Sequence, residues 1–287
     1  MSMKKCDLCP RNCNIDRTKT KGLCGEKEKM SINTYSVFMF EEPPISGTRG
    51  SGAIFFSGCS LKCVFCQNYE ISHSGHGTKV SPLGLVEIMK ELEGKGVHNI
   101  NLVSPTHFAD EIIEALKIYK PNVPVVWNTH GYEKVETIQK LLPYVDIFLT
   151  DFKYFRPETA KKYSNCPDYV ENAKAALNEM VKNKPLEFDG EMLKQGVIVR
   201  HLILPLHTQE SKQVLDYLKQ NYDKQILVSV MSQFTPFGEC DKIPEINRKL
   251  TSREISTTNK YFLELGLDGF VQSSKSADTC FIPNWNK

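Results

Sequence analysis

The stretch GCSLKCVFCQN carries Cys59, Cys63 and Cys66 in the spacing C-x3-C-x2-C. Thiolates so closely placed can all serve one metal site. A structural zinc ion fills four positions with protein ligands, and a catalytic one keeps three plus a water. A [4Fe–4S] cluster takes up to four thiolates, so a set of three leaves one iron open to a substrate or cofactor. His73 and His76 are the nearby side chains that could complete a zinc site instead, though neither stands at a tight zinc spacing.

A second set, Cys6, Cys9, Cys13 and Cys24, reads C-x2-C-x3-C-x10-C and suits a structural zinc or an auxiliary cluster. Such clustering in a reduced compartment favours metal over disulfides. Cys166, Cys240 and Cys280 are scattered singly and read as plain thiols. Cys240, in the mobile-looking TPFGECDKIP stretch, is also a candidate hydrogen-atom donor. The last residues, GFVQSSKSADTCFIPNW, are a candidate cover for the site.

The elements that must hold these cysteines follow from the patterning. Residues 1–45 form an N-terminal cysteine-rich segment, whose first 30 residues are polar and bury little of their own surface, so metal is the expected organiser. TYSVFMF at 34–40 reads as a strand, followed by the turn-rich connection EEPPISGTRGSG. In residues 46–287, apolar runs at 53–57, 97–103, 123–128, 145–151, 197–204 and 225–233 read as strands. Amphipathic stretches at 81–96, 108–119, 132–142, 167–183, 208–222 and 251–266 read as helices. Continuous apolar strands alternating with helices predict a parallel α/β sheet, doubly wound or a partial barrel. In either, the site belongs at the C-terminal strand ends.

Those ends carry polar groups: the cysteine loop, Ser104 to His107, Asn128 to Gly131, Thr150 to Lys153, Arg200 to His207, and Ser232-Gln233. Arg200 suits a carboxylate or a core acid. His107, His130 and His207 suit proton transfer or structural hydrogen bonds. Lysine and arginine number 36 against 34 acids, so no broad grip on nucleic acid or an anionic membrane is expected. No apolar run approaches the ~20 residues of a spanning helix. MSMKKCDLCP lacks the apolar core of a signal peptide, so the expected location is the cytoplasm.

The three-cysteine loop after the first strand of the alternating series resembles the radical S-adenosylmethionine (SAM) superfamily. ISGTRGSGAIFFSGCSLKCVFCQNYEIS, NINLVSPTH, VVWNTHGYE, VDIFLTDFKYF, VRHLILP and MSQFTPFGE resemble the activating enzymes of glycyl-radical enzymes, and more closely the pyruvate formate-lyase activating-enzyme-like relatives. CDLCPRNC with Cys24 also fits those relatives. The resemblance implies a (β/α)6 partial TIM-type barrel with a small N-terminal metal-binding segment. It implies a [4Fe–4S] cluster on Cys59, Cys63 and Cys66, and SAM as the missing fourth ligand. Asp151 and Lys153 match a cofactor-contacting pair, and Asn128, Thr129 and Gly131 a cofactor pocket; Arg200 joins them as a candidate. Where those enzymes carry Gly-Gly-Glu, this chain has Ser104-Pro105-Thr106, leaving hydroxyls and carbonyls to receive the cofactor's amino group. The implied partners are a flavodoxin- or ferredoxin-type reductant and a glycyl-radical enzyme whose glycine Cα gives up hydrogen. The same radical chemistry on a peptide, nucleotide or small metabolite, and a non-catalytic electron-transfer protein, are the alternatives.

Overall fold

The computed structural model describes residues 5–272. In chain order the elements are β1 (Ser31–Phe38), α1 (Pro43–Ser46), β2 (Ser51–Phe56), α2 (Tyr69–Ser74), β3 (Thr78–Lys79), α3 (Pro82–Gly94), β4 (Ile100–Val103) and α4 (Ala109–Ile118). They continue with β5 (Val125–Thr129), α5 (Val135–Leu141), β6 (Ile147–Asp151), α6 (Pro157–Ser164), α7 (Tyr169–Asn183), β7 (Glu187–Asp189), β8 (Met192–Leu202), α8 (Thr208–Asn221), β9 (Leu227–Met231), α9 (Ser252–Leu265) and β10 (Gly269–Val271).

The sheet runs β10-β9-β8-β6-β5-β4-β2-β1-β3, with β7 folded back on β8. From β2 to β10 every neighbouring pair on that path is parallel. β1 lies antiparallel to β2, and β3 antiparallel to β1. The expected strand–helix units are all present, and the sheet curls into a partial TIM-type barrel with its ends at β10 and β3.

Strand alternation divides the side chains between two faces. Ile54, Phe56, Ile100, Leu102, Val125, Trp127, Phe148, Val197, Val199, Val228 and Val230 pack outward with the helices. Val126, Ile147, Leu149, Ile198 and Leu227 point inward and pack around Ile45. The connection EEPPISGTRGSG is therefore more than a loop. Its one-turn helix α1 plugs the barrel floor, Ile45 fully buried, with the Ile45 carbonyl accepting from Asn99 Nδ2 at 2.7 Å. Four residues cannot hold a helix alone; Pro43 at the first position and the packing of Ile45 hold it.

Three further elements departed from the sequence reading. α6 precedes α7 where one helix was expected, and β10 forms from GFV of the expected cover segment. The rest of that segment, with Cys280, lies outside the described residues. The TPFGECDKIP stretch is packed, not loose: Glu239 N donates to Val64 O at 2.8 Å, and Cys240 is buried.

Candidate active site

The cavity enclosed by the strand ends measures about 480 Å³. Cys59, Cys63, Cys66, Ser104, Asn128, Thr129, Asp151, Lys153 and Arg200 all line it. Thr106 does not appear on its wall. That residue is fully buried, and its hydroxyl donates at 2.6 Å to Glu133 Oε1, behind the strand ends. Its one proton is thus committed inside the protein.

The cysteine loop leaves β2 at Gly58 and turns sharply at Lys62, whose φ is 58°. Donors surround the sulfurs: Leu61 N lies 3.4 Å from Cys59 Sγ, Ser164 Oγ 3.0 Å from Cys63 Sγ, and Ser72 Oγ 3.5 Å from Cys66 Sγ. Donors of this kind stabilise thiolate ligands and tune a cluster's potential. Burial pushes the Cys66 thiol up to about 12, with the neighbouring Cys63 and Cys59 charges adding to it. Burial opposes ionisation of Cys59 too, but His130 and the backbone N–H groups of Lys62 and Leu61 bring it down to about 6. His130 Nε2 also lies 2.9 Å from Ser60 Oγ, so this histidine braces the loop.

Among the described residues, no three His, Cys, Asp or Glu side chains close around a single metal ion. A cubane cluster spreads its thiolates over separate irons, wider than the tetrahedron of one zinc. Three thiols facing one cavity, those of Cys59 and Cys63 buried and that of Cys66 half-buried, with donors at their sulfurs, fit the cluster. They do not fit a zinc site completed by histidine. His73 stacks on Tyr69 with ring centroids 3.9 Å apart, and His76 is exposed.

At the strand ends, with Asp151 closing β6, lies a charged group. Arg200 Nε donates to Asp151 Oδ1 at 2.9 Å and its Nη2 to Asn128 Oδ1 at 2.6 Å. Lys153 Nζ donates to Asp151 Oδ2 at 2.5 Å. Burial alone would raise the Asp151 carboxyl, but the two cations hold it below its usual range. Gly131 fits beside this group because a Cβ there would stand 2.1 Å from the Asp151 carbonyl oxygen, at a φ of 81°.

The remaining histidines are structural. Nε2 of His107 lies 2.7 Å from Ser57 O, and burial drops its pKa to about 3. His207 contacts Tyr163 and Glu210.

Four residues escaped the sequence reading. Glu41 and Glu42 line the cavity from the α1 plug. Glu133 is buried on Thr106, Thr129 and Trp127. Arg11 donates to the carbonyls of Ser60, Leu61, Ser164 and Asn165, tying the N-terminal cysteines to the cysteine loop. EE before a double proline, and E in GYEK, look like solvated loop positions, so no sequence signal marked them. Arg11 in CPRNC was visible only as a charge between cysteines.

The N-terminal cysteines sit together: Cys13 Sγ and Cys24 Sγ both approach Gly22, at 3.8 and 3.2 Å from the position of an added Cβ. Their segment packs on the main barrel.

The Radical SAM superfamily profile matches residues 53–218. The uncharacterized protein MJ0674 of Methanocaldococcus jannaschii is 33% identical over 279 residues, covering 92% of this chain and 77% of that protein. Among solved structures, Streptococcus suis SuiB bound to its precursor peptide SuiA matches with TM-score 0.52 and 13% identity, over 75% of this chain and 46% of that one. SuiB bound to S-adenosylmethionine matches with TM-score 0.51 and 15% identity, over 75% and 48%. This chain thus spans about half of the SuiB chain, and at that identity the likeness is one of fold. By the profile over residues 53–218 and the relative that matches 92% of it, the chain belongs to the radical SAM superfamily.

Proposed function

We propose that this chain is a radical SAM enzyme that abstracts a hydrogen atom from a substrate bound inside the partial barrel. The observation that carries this is the set of three cysteines, Cys59 and Cys63 buried and Cys66 half-buried, facing one cavity with Asp151, Lys153 and Arg200. When bound, the [4Fe–4S] cluster and S-adenosylmethionine supply reductive sulfonium cleavage and a 5′-deoxyadenosyl radical.

The chain's own residues bind, orient and shield. Cys59, Cys63 and Cys66 would hold three irons, with Ser72, Ser164 and the Leu61 N–H stabilising their negative charge. Lys153 has N–H groups beyond the one given to Asp151, available for a carboxylate. Asn128 and Ser104 stand at adjacent strand ends, with Ser104 N donating to Asn128 O at 2.9 Å. Thr129, its hydroxyl donated to Glu133, contributes shape. A flavodoxin- or ferredoxin-type protein would supply the electron.

The resemblance to activating enzymes supports a glycine Cα of a partner enzyme as the hydrogen donor. The cavity favours a second reading, a small molecule or a peptide side chain, because its floor is closed by α1 and carries charged groups. A glycine-loop peptide dideuterated at the glycine Cα separates them. Deuterium in the 5′-deoxyadenosine product supports the glycine donor. Product without deuterium rejects it and leaves the second reading.

A further inference from the structure

The barrel floor holds more hydrogen-bond acceptors than donors. Glu42, 8% exposed, lines the cavity, and its Oε2 is buried with no hydrogen-bond partner. Asn101, fully buried, gives its Nδ2 to Glu41 Oε1 at 2.9 Å, while its Oδ1 also has no donor. Asn128 Nδ2 adds a longer contact of 3.3 Å to the same Glu41 oxygen. An unpaired buried acceptor is costly, and a carboxylate oxygen especially so.

The cations of the cavity are committed elsewhere. Glu41, Glu42 and Asp151 line it with Arg200 and Lys153, and burial pushes the Glu41 carboxyl up to about 7. Both cations are already taken up by Asp151, and Arg200 stands only 3.5 Å from Glu41. Among the described residues no cation stands within 4 Å of Glu42, and Arg200, whose charge it feels, is bonded to Asp151 instead. Phe38, Phe55 and Phe270 add aromatic surface to the same cavity. A carboxylate at the bottom of an aromatic-walled pocket matches a ligand with an apolar stem and a cationic head.

We propose that the floor of the cavity binds the protonated amine of the substrate, with Glu42 as its carboxylate partner. This rests on the second reading of the site, in which a small molecule or side chain enters the barrel. The head group is placed at the floor, beside Glu41 and Glu42. Its stem therefore passes the charged group toward the mouth, where hydrogen abstraction would occur. A cofactor held at the cysteine loop would leave the floor to the substrate.

The test uses the anaerobically reconstituted, cluster-loaded full chain. Pentylammonium and its neutral counterpart pentanol are titrated by ligand-observed NMR into wild type and Glu42→Gln, beside S-adenosylmethionine. Pentylammonium binding at least tenfold tighter than pentanol in wild type, and at least tenfold weaker in E42Q, is the expected result. The wild-type comparison stands by itself if the variant misfolds. Equal binding of the two probes, binding of neither, or undiminished pentylammonium binding by folded E42Q overturns the proposal. So does a loss of S-adenosylmethionine affinity in E42Q as large as the loss for the amine, which would give the floor to the cofactor. Failure of wild type to cleave S-adenosylmethionine would instead refute the radical reading, which these binding measurements do not address.

Discussion

The backbone N–H of Cys59 donates to the carbonyl oxygen of Cys24 at 3.1 Å, so one cysteine of each set is joined to the other by a hydrogen bond. Arg11 strengthens the join through the carbonyls of Ser60 and Leu61, between Cys59 and Cys63, and lies 5.5 Å from the Tyr132 ring centroid. The N-terminal segment thus supports the cysteine loop from behind.

Disturbing the N-terminal set should loosen the main one. A second cluster at the N-terminal cysteines and a zinc ion there differ in iron content. The expectation is about eight irons per reconstituted wild-type chain and about four in Cys9→Ser. The remaining cluster of the variant should bleach faster in air. Iron near four in both proteins, with one zinc, would make the N-terminal site a zinc site.

Arg11→Ala should cost stability as well, because its guanidinium serves four carbonyls. Hydrogen bonds from a charged donor are worth about 1.5–3 kcal/mol each where buried, and these are only part-buried. A loss of about 2–4 kcal/mol in urea unfolding is expected. Arg11→Lys should recover little of it, since a lysine cannot reproduce the planar fork.

Asp151 is held between Arg200 and Lys153, with side chains 9%, 15% and 15% exposed. Asp151→Asn leaves two buried cations without their carboxylate. A destabilisation of about 3–5 kcal/mol is expected, read by chemical denaturation at neutral pH. A change below about 1 kcal/mol would show that solvent already screens the group.

Glu41 yields a pH prediction. Burial, with the Glu42 and Asp151 charges adding and Arg200 opposing, pushes its carboxyl up to about 7 from an ordinary 4.5. The folded chain therefore holds this proton more tightly than the unfolded one. The associated stability is full below about 4.5 and is lost as pH rises through about 7. Glu41→Gln removes that dependence. The stability of wild type minus that of E41Q should fall across this window, by up to about 3 kcal/mol. A flat difference would contradict the assignment.

Much of this fold was legible because strands covered on both faces must be apolar throughout, as AIFF, VVWN and VDIFLT are. The cysteine spacing was legible because one short loop had to offer three thiolates. The floor was not. Asn101 and Ser229 sit inside otherwise apolar strands, where one polar residue looks incidental, and α1 is a helix only because Ile45 finds a barrel to fill. α6 was missed because PETAKKYS buries Thr159, Ala160, Tyr163 and Ser164 among lysines, a pattern too polar to mark a face. β10 is three residues paired at a sheet edge, set by β9 and not by its own sequence.

The central claim is that Cys59, Cys63 and Cys66 hold a cluster whose open iron takes S-adenosylmethionine. It is tested most directly by measuring 5′-deoxyadenosine from anaerobically reconstituted, dithionite-reduced protein, with Cys63→Ala beside it. The account predicts product from wild type and none above background from the variant. An iron-loaded wild type that neither binds nor cleaves S-adenosylmethionine, or a variant that cleaves it equally well, would contradict it.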